Sequence, residues 1–258
     1  MRLVRTRAEL RSAVGEPRSR PIGLVPTMGA FHEGHLSLFR AARAECETVV
    51  VSLFVNPAQF GEDTDLSGYP RDEARDEELA GAEGVDVLFA PPVDELYPPG
   101  FQTWVEVTEL GATLEGEHRP RHFRGVATIC LKLFNLVRPQ LAYFGQKDAQ
   151  QVAVLRRMLA DLELDSELSL RVLPTVRDAD GLALSSRNGR LSDEERARAL
   201  ALPRALATRD PEAARAALDG LDVDYVEVVA LDPPVLAAAV RVGSTRLIDN
   251  VVLEEESP

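Results

Sequence analysis

The segment Ile22-Gly-Leu-Val-Pro-Thr-Met-Gly-Ala-Phe-His-Glu-Gly-His35 decides how this chain folds, because in it a short apolar strand runs directly into a helix. The first four residues form a continuous apolar run. Leu36, Leu38 and Phe39 then follow with the spacing of one helical face. The segment therefore predicts a strand, a tight turn and a helix that packs back on the strand.

Two of the four histidines, His32 and His35, fall in the first turn of this predicted helix. Free backbone N–H groups and the positive end of the helix dipole attract anions at such a turn. Imidazoles there can donate hydrogen bonds to a phosphate or stabilise negative charge that develops on it. We therefore interpret the pair as part of a phosphate-handling site.

A zinc site and a purely structural histidine pair are the alternatives. Histidines three residues apart could form half of a zinc site, with His118 and His122 as the other half. Against this, the two cysteines, Cys46 and Cys130, form no C-x-x-C motif, and the sequence has no H-E-x-x-H motif. Phosphate handling is therefore favoured over both alternatives.

Composition indicates an ordinary globular protein. The chain has 258 residues, which suits one large domain or two unequal ones, and no apolar run approaches the roughly 20 residues needed to span a bilayer. A formal net charge of −13 argues against a general binder of nucleic acid or anionic membranes. Two cysteines and an N-terminus without an apolar leader favour the cytoplasm.

Arginine supplies almost all of the positive charge. Of 29 basic residues only Lys132 and Lys147 are lysines, so 27 are arginines. A lysine kept against that bias indicates a task for a compact ammonium group, such as gripping a phosphate oxygen. Lys132 lies in the apolar helical run Thr128–Val137, where a snorkelling stem is the better explanation. Lys147 is therefore the candidate phosphate ligand.

Strands and helices alternate through residues 1–175. The buried strand patterns after the first are Thr48–Val55, Val85–Ala90, Leu141–Phe144 and Leu168–Leu173, and the helical patterns are Leu36–Glu45, Arg71–Ala82, Val126–Val137 and Ala149–Leu162. This alternation predicts right-handed βαβ units in a doubly wound parallel sheet. In residues 176–258, a capping box at Ser192–Glu195 opens a helical stretch. Strand patterns at Val223–Val229 and Arg246–Val252 complete a predicted smaller α+β domain.

Polar clusters follow four of the predicted strands. The histidine segment follows the first, Asn56–Gly61 follows the second, and the other two lead into Gly145–Gln151 and Leu184–Asn188. Ligands bind at the carboxyl ends of strands in doubly wound sheets. We therefore expect the four clusters to converge on one cleft.

Two of these clusters suit a nucleotide. Gly145-Gln146-Lys147-Asp148 offers close backbone approach, an ammonium for phosphate oxygens and a carboxylate for ribose hydroxyls. Ser185-Ser186-Arg187 adds hydroxyl donors and a fixed positive charge for the far phosphates of ATP. Neither cluster is a P-loop, and no G-x-G-x-x-G follows a strand. Each motif alone is equally consistent with a loop of capping polar residues.

Two glutamines suit an acid substrate. If a carboxylate must attack phosphorus, pairing it with arginine would reduce its nucleophilicity, whereas a neutral amide can orient it. We hypothesise that Gln59 and Gln151 hold such a carboxylate beside the α-phosphate. The alternative is that both are ordinary surface amides.

With these motifs in place, the chain resembles the pantothenate synthetase family, the AMP-forming pantoate–β-alanine ligases. The matching segments are Pro26–His35, Val51–Gly61, Tyr69–Arg71, Arg119–Val126, Phe144–Gln151, Asp180–Asn188 and Leu247–Asn250. The resemblance implies an H-x-G-H nucleotidylyltransferase with a Rossmann-like N-terminal domain, a smaller C-terminal domain and a homodimeric assembly.

The resemblance also implies a two-step reaction. Pantoate attacks the α-phosphate of ATP to give pantoyl adenylate and pyrophosphate, and the amine of β-alanine then displaces AMP. Mg²⁺ would travel on the phosphates and neutralise the leaving pyrophosphate, with no side chain assigned as a metal ligand.

Residue roles follow from the matching motifs. The resemblance implies that His32, His35, Lys147 and Arg187 are catalytic, with His35 as the proton donor. It implies pantoate binding by Gln59 and Gln151. The implied ATP site comprises Met28, Gly29, Ala30, Phe31, His32, Glu33, Gly34, His35, Gly145, Gln146, Lys147, Asp148, Val176, Leu184, Ser185, Ser186 and Arg187.

Three positions depart from the family pattern. Phe31 replaces the usual leucine, Ala58 stands where methionine is common, and Gln146 stands where glutamate is common. We expect altered packing or affinity there and not lost activity. Two alternative functions stay open. The first is an H-x-G-H nucleotidylyltransferase that transfers AMP to a phosphate acceptor, and such an acceptor would favour arginines in place of Gln59 and Gln151. The second is a non-catalytic module that binds ATP or zinc.

Overall fold

The computed structural model describes residues 1–15, 21–61 and 66–253, and its residues group into two compact units. The first unit comprises Met1–Phe144 and Val154–Leu173, and the second comprises Gly145–Ala153 and the chain from Pro174 onward. The chain thus leaves the first unit after Phe144 and returns to it at Val154. The domain boundary expected at residue 175 stays a prediction.

A six-stranded sheet forms the centre of the first unit. Its strands are β1 (Arg2–Val4), β2 (Ile22–Thr27), β3 (Thr48–Leu53), β4 (Val87–Phe89), β5 (Leu141–Gly145) and β6 (Ser169–Leu173). The order across the sheet is β1-β4-β3-β2-β5-β6, and β2 pairs in parallel with both β3 and β5. This confirms the predicted doubly wound parallel sheet and adds β1, which the sequence had not indicated.

Seven helices flank this sheet or extend from it within the described residues. They are α1 (Arg7–Val14), α2 (Glu33–Glu45), α3 (Glu73–Ala82), α4 (Val93–Leu96), α5 (Glu115–His118), α6 (His122–Val137) and α7 (Ala149–Asp161). The four predicted helices correspond to α2, α3, α6 and α7. Two short 3₁₀ turns, Pro57–Gln59 and Gln146–Asp148, follow β3 and β5.

Burial explains why most of the strands could be recognised in the sequence. In β3, Val49, Val50 and Val51 are fully buried, as expected for a parallel strand with neighbours on both sides and cover on both faces. The expectation of the same burial in β6 was wrong. This strand forms the edge of the sheet, so Ser169 and Arg171 are exposed.

The second unit contains an antiparallel sheet of β7 (Asp222–Val229), β8 (Val235–Val242) and β9 (Thr245–Val252). Its helices are α8 (Asp193–Ala199), α9 (Ala201–Leu206) and α10 (Pro211–Ala217). The capping box at the start of α8 is confirmed, since the side chains of Ser192 and Glu195 each accept from the other residue's backbone N–H. The predicted smaller α+β domain is therefore confirmed, with β8 as an unpredicted central strand.

A helix that crosses a bilayer has to be both long and apolar. None of the helices in the described residues combines these two properties.

Candidate active site

The turn between β2 and α2 carries the histidine pair. Gly29 and Ala30 both have positive φ angles, of 85° and 54°, in the left-handed region that an L-residue such as alanine rarely adopts. His32 then takes an extended conformation as the N-cap, and α2 begins at Glu33. The histidines therefore lie where the sequence placed them, at the start of the helix.

A buried carboxylate from α3 holds this turn. Asp76 is 2% exposed, and its two oxygens accept hydrogen bonds of 2.7 Å from the backbone N–H groups of Ala30 and Phe31. Burial raises the pKa of this carboxyl, and the two hydrogen bonds partly oppose the rise. A Cβ atom at Gly29 would lie 2.9 Å from the same carboxylate, so the position requires glycine for space as well as for φ.

The hydrogen bonds of the histidines fix which ring nitrogen carries the proton. The Nδ1 atom of His32 accepts from the N–H of Gly34 at 3.2 Å, and Nδ1 of His35 accepts from the N–H of His32 at 3.3 Å. An accepting Nδ1 has no proton, so each neutral ring carries its proton on Nε2. The two ring centroids are 4.1 Å apart, so the two imidazoles lie side by side.

Most amides of this turn are already used within the protein, unlike the free N–H groups expected at the helix start. The engaged amides are those of Ala30 and Phe31 with Asp76, His32 and Gly34 with the imidazoles, and His35 with the carbonyl of His32. Side-chain donors, and not these amides, are therefore the groups that this turn offers to an anion.

Next to this turn, the amide of Gln59 is held in one orientation. Its Oε1 accepts from Nδ2 of Asn56 at 3.0 Å, and its Nε2 lies 3.1 Å from the sulfur of Met28. Asn56 also accepts a hydrogen bond of 2.9 Å from the hydroxyl of Tyr97. The structure thus brings Met28 and Gln59 together, as neighbouring strands β2 and β3 imply.

Helix α6 supports the 3₁₀ turn that carries Gln59. A Cβ atom at Gly125 would lie 2.5 Å from the carbonyl oxygen of Ala58, so only glycine allows this approach. The carbonyl oxygen of Gly125 accepts from Asn56, and the carbonyl of Gln59 accepts from Nδ1–H of His122 at 2.9 Å. His122, which the zinc alternative would make a metal ligand, is a buried support of this turn.

The zinc alternative finds no support in this arrangement. Nε2 of His122 lies 3.4 Å from a guanidinium nitrogen of Arg119, which can only donate. Within residues 1–15, 21–61 and 66–253, no group of three or more histidine, cysteine or acidic side chains is placed to hold a metal ion.

The two lysines differ as expected. The ammonium of Lys132 lies 4.7 Å from the centre of the Phe101 ring and 5.8 Å from that of Tyr97, in cation–π contact. The ammonium of Lys147 lies 3.6 Å from a carboxylate oxygen of Asp148. Lys132 thus has a packing role, and Lys147 remains the candidate phosphate ligand.

The Gln146–Asp148 turn of the second unit is tied to β9. The Nδ2 group of Asn250 donates to the carbonyl oxygens of Gln146 at 3.0 Å and Lys147 at 2.8 Å. In return, Nε2 of Gln146 donates to Oδ1 of Asn250 at 3.3 Å. Gln151 follows, partly buried, in the first turn of α7.

The Ser185–Arg187 segment extends from a short ladder. The N–H of Leu184 donates to the carbonyl of Val176 at 3.0 Å, and an antiparallel bridge joins Arg177 to Ala183. The hydroxyl of Ser185 then accepts from the N–H of Arg187 and caps the 3₁₀ turn Ser186–Arg190. This turn also contacts β9.

The predicted site residues thus form two groups. Met28, His32, His35 and Gln59 lie together in the first unit. In the second unit, the segments Gly145–Asp148 and Ser185–Arg187 contact β9 directly or adjoin residues that contact it. Phe31 packs its ring on Phe39, and Glu33 is exposed in an ion pair with Arg40. The convergence of both groups on one cleft stays a prediction.

Comparison with known proteins places the chain near one family. A family model described as pantoate-beta-alanine ligase matches residues 2–252. The pantothenate synthetase of Acidobacterium capsulatum is 50% identical, over 99% of this chain and 98% of its own length. That of Pelotomaculum thermopropionicum is 49% identical, over 98% and 99%.

Solved structures agree with these relatives. The pantothenate synthetase of Thermus thermophilus superposes with a TM-score of 0.92 at 45% identity, covering 98% of this chain and 99% of that one. The pantoate-beta-alanine ligase of Francisella tularensis, solved in complex with beta-gamma ATP and beta-alanine, gives 0.87 at 32% identity, covering 98% and 97%.

The raised pKa of Asp76 predicts a pH-dependent difference between the natural chain and Asp76→Asn. An ordinary aspartate titrates at about 3.9 in an unfolded chain. Because the folded pKa is higher, the stability contributed by the protonated form is fully present below the unfolded pKa and is lost as pH rises through the folded pKa. We expect the free energy of unfolding of the natural chain, relative to Asp76→Asn, to fall as the pH rises above about 4 in urea titrations.

The exposed Asp94, in the first turn of α4, provides the control. Asp94→Asn should give a difference that changes much less over the same pH range. A difference for Asp76→Asn that stays constant, or that increasingly favours the natural chain as pH rises, would contradict the interpretation.

Proposed function

The chain belongs to the pantoate-beta-alanine ligase family, and from this premise we propose how its residues divide the reaction. The enzyme joins pantoate to β-alanine with ATP, through pantoyl adenylate, and releases AMP and pyrophosphate. One observation supports this assignment of roles to residues. The neutral amide of Gln59 is held against Met28, and Met28 lies in the turn that leads to both histidines.

In the first step, a carboxylate oxygen of pantoate attacks the α-phosphorus of ATP, and the bond from that phosphorus to the pyrophosphate oxygen breaks. We propose that Gln59 and Gln151 orient the carboxylate. The oxygen of the Gln59 amide already accepts from Asn56, and one proton of its NH₂ group is donated to the sulfur of Met28, so the second proton of the NH₂ group is the one proposed to reach an acid. A neutral donor positions the nucleophile without the strong charge pairing that would lower its reactivity.

We propose that His32 and His35 stabilise the phosphates through Nε2. Their tautomer makes both Nε2 atoms donors before any substrate arrives, so neither ring has to change its protonation state. The resemblance makes His35 the proton donor, and we propose that it acts by donating its Nε2–H as a hydrogen bond to the charge that develops during the displacement.

The second unit supplies the proposed nucleotide ligands. Lys147 and Arg187 offer positive charge to phosphate oxygens, Ser185 and Ser186 offer hydroxyl donors, and Asp148 suits ribose hydroxyls. The shared attachment of their segments to β9 supports assigning them to one ligand.

We propose that Mg²⁺ arrives as the magnesium complex of ATP. On the substrate, the ion neutralises charge on the pyrophosphate as it leaves.

In the second step, the amine of β-alanine attacks the acyl carbon of pantoyl adenylate. A C–N bond forms, the C–O bond to the phosphate breaks, and AMP leaves with the electron pair while the amine loses a proton. Donors that already hold the α-phosphate, proposed as His32 and His35, stabilise the AMP that departs.

We further propose a cytoplasmic homodimer. Both cysteines, Cys46 and Cys130, are buried free thiols, as is usual in a reducing compartment. Sedimentation equilibrium should give twice the 28.2 kDa of one chain. A monomeric mass at micromolar concentration would contradict the dimer.

Pyrophosphate exchange tests the function. With ATP, Mg²⁺ and pantoate but no β-alanine, labelled pyrophosphate should enter ATP, because formation of the adenylate is reversible. β-Alanine alone should not support exchange. If pantoate gives no exchange while a phosphate-containing acceptor does, the enzyme transfers AMP to phosphates and the ligase assignment is wrong.

Substitutions at His35 can distinguish the role of its Nδ1 acceptor from that of its Nε2 donor. His35→Asn keeps an acceptor near the Nδ1 position and removes the Nε2 donor. We therefore expect this variant to fold with little loss of thermal stability while the exchange rate falls on the order of 10²- to 10⁴-fold.

His35→Gln places an amide donor near the Nε2 position and should recover part of the rate. The exposed His118, which has no proposed role, is the control, and His118→Ala should exchange at the natural rate. Unchanged exchange in His35→Asn would remove His35 from the chemistry.

A further inference from the structure

We propose that Asp249 and Asn250 are positioning residues that fix both ATP-binding segments of the second unit on β9. The inference rests on the proposed assignment of ATP to Gln146–Asp148 and Ser185–Arg187. Neither Asp249 nor Asn250 was given a role by the sequence, although both lie in the matching segment Leu247–Asn250.

Asn250 clamps the first segment through its whole side chain. The two protons of its Nδ2 group reach the carbonyl oxygens of Gln146 and Lys147, and its Oδ1 accepts from Nε2 of Gln146. Asn250 is 5% exposed, so each of these bonds replaces one that water would supply. Three bonds to two consecutive residues define the backbone path from which the Lys147 side chain projects.

Gln146 is matched to this clamp. An ionised glutamate at this position would have no proton to donate to Oδ1 of Asn250. The amide of Gln146 supplies that proton. Gln146 thus contributes to the support of Lys147.

Asp249 holds the second segment through Arg177. Its carboxylate, 2% exposed, takes a bidentate pair of hydrogen bonds of 2.6 and 3.1 Å from the guanidinium of Arg177. Arg177 also bridges to Ala183 through the backbone, two residues before Ser185. The position of Ser185 therefore depends on an ion pair that lies one residue from the Asn250 clamp.

The geometry of a strand makes the two clamps work as one. Successive side chains of a strand point to opposite faces, so neighbours on β9 reach two segments that are far apart in sequence. The N–H of Asn250 also donates to the Asp249 carboxylate at 2.8 Å, which links the clamps directly. β9 pairs with β8 along its full length, so β9 is held firmly in the sheet. Both segments are therefore positioned by contacts with the same strand.

The test measures ATP affinity by titration calorimetry and the Michaelis constants of the ligase reaction. Asn250→Ala removes the first clamp, and Asp249→Asn weakens the second. Each should weaken ATP binding about tenfold or more and raise the KM for ATP by a similar factor, with the KM for pantoate within about twofold of the natural value. If Asn250→Ala does not fold, Asn250→Asp has the same size and lacks the donors.

A second ion pair of the same sheet, also largely buried, provides a matched control. Asp224 on β7 pairs with Arg246 on β9, and their side chains are 10% and 14% exposed. Asp224→Asn should lower the thermal unfolding temperature at least as clearly as Asp249→Asn, yet leave ATP affinity unchanged. Equal loss of ATP affinity in both variants would show a general effect of stability and would overturn the proposal.

Two further outcomes separate this inference from the proposed function. Natural ATP affinity in folded Asn250 and Asp249 variants would overturn the positioning role, even if the natural enzyme exchanges pyrophosphate normally. Conversely, absent pantoate-dependent exchange would reject the ligase assignment, while calorimetry with ATP alone would still decide whether the clamps hold the nucleotide.

Discussion

The hydrogen bonds from Ala30 and Phe31 to the Asp76 carboxylate are the contact on which the active-site geometry of the first unit depends. A non-glycine residue in the left-handed region costs about 1 to 3 kcal/mol. A hydrogen bond to a charged group contributes about 1.5 to 3 kcal/mol. Two such bonds are enough to offset the strain at Ala30, although burial of the carboxylate reduces the gain. These two hydrogen bonds therefore fix the turn that places His32 and His35 at the start of α2.

Orientation in this site comes largely from neutral groups whose partners can act in only one way. A backbone N–H can only donate, so it fixes Nδ1 of His32 and His35 as acceptors, and a backbone carbonyl fixes Nδ1 of His122 as a donor. The amide of Gln59 is oriented in the same manner by Asn56. A chain with a net charge of −13 can therefore orient the polar groups of this candidate site through directed hydrogen bonds between neutral groups.

Periodicity in the sequence was sufficient for most of the parallel sheet, because strands such as β3 have neighbours and cover on both faces and stay continuously apolar. It failed at β1, which has three residues, and at β8, which begins directly after Pro233 and Pro234. Motifs pointed to His32, His35 and Lys147 as candidate site residues because each lies within a few residues of a strand end, and their roles stay predictions.

The supporting residues could not be found in the same way. Asp76 lies 46 residues from Ala30, and Asn250 lies 103 residues from Lys147, so no local pattern links them. Asp76 also lies in a helix rich in acidic residues, where its burial has no signature in the sequence. Gly125 differs from these residues, because a glycine inside an apolar helix indicates that another part of the chain approaches closely. Only the fold shows that the approaching group is the backbone of Ala58.

The assignment of Gly145–Ala153 to the second unit has a consequence for how this protein can evolve. The segment is encoded in the middle of the sheet domain, yet the asparagine that shapes it is encoded more than a hundred codons later. Recombination that exchanged the C-terminal part between relatives would replace residue 250 while keeping Gln146. It would therefore remove the hydrogen bonds between the two residues wherever the incoming residue differed from asparagine.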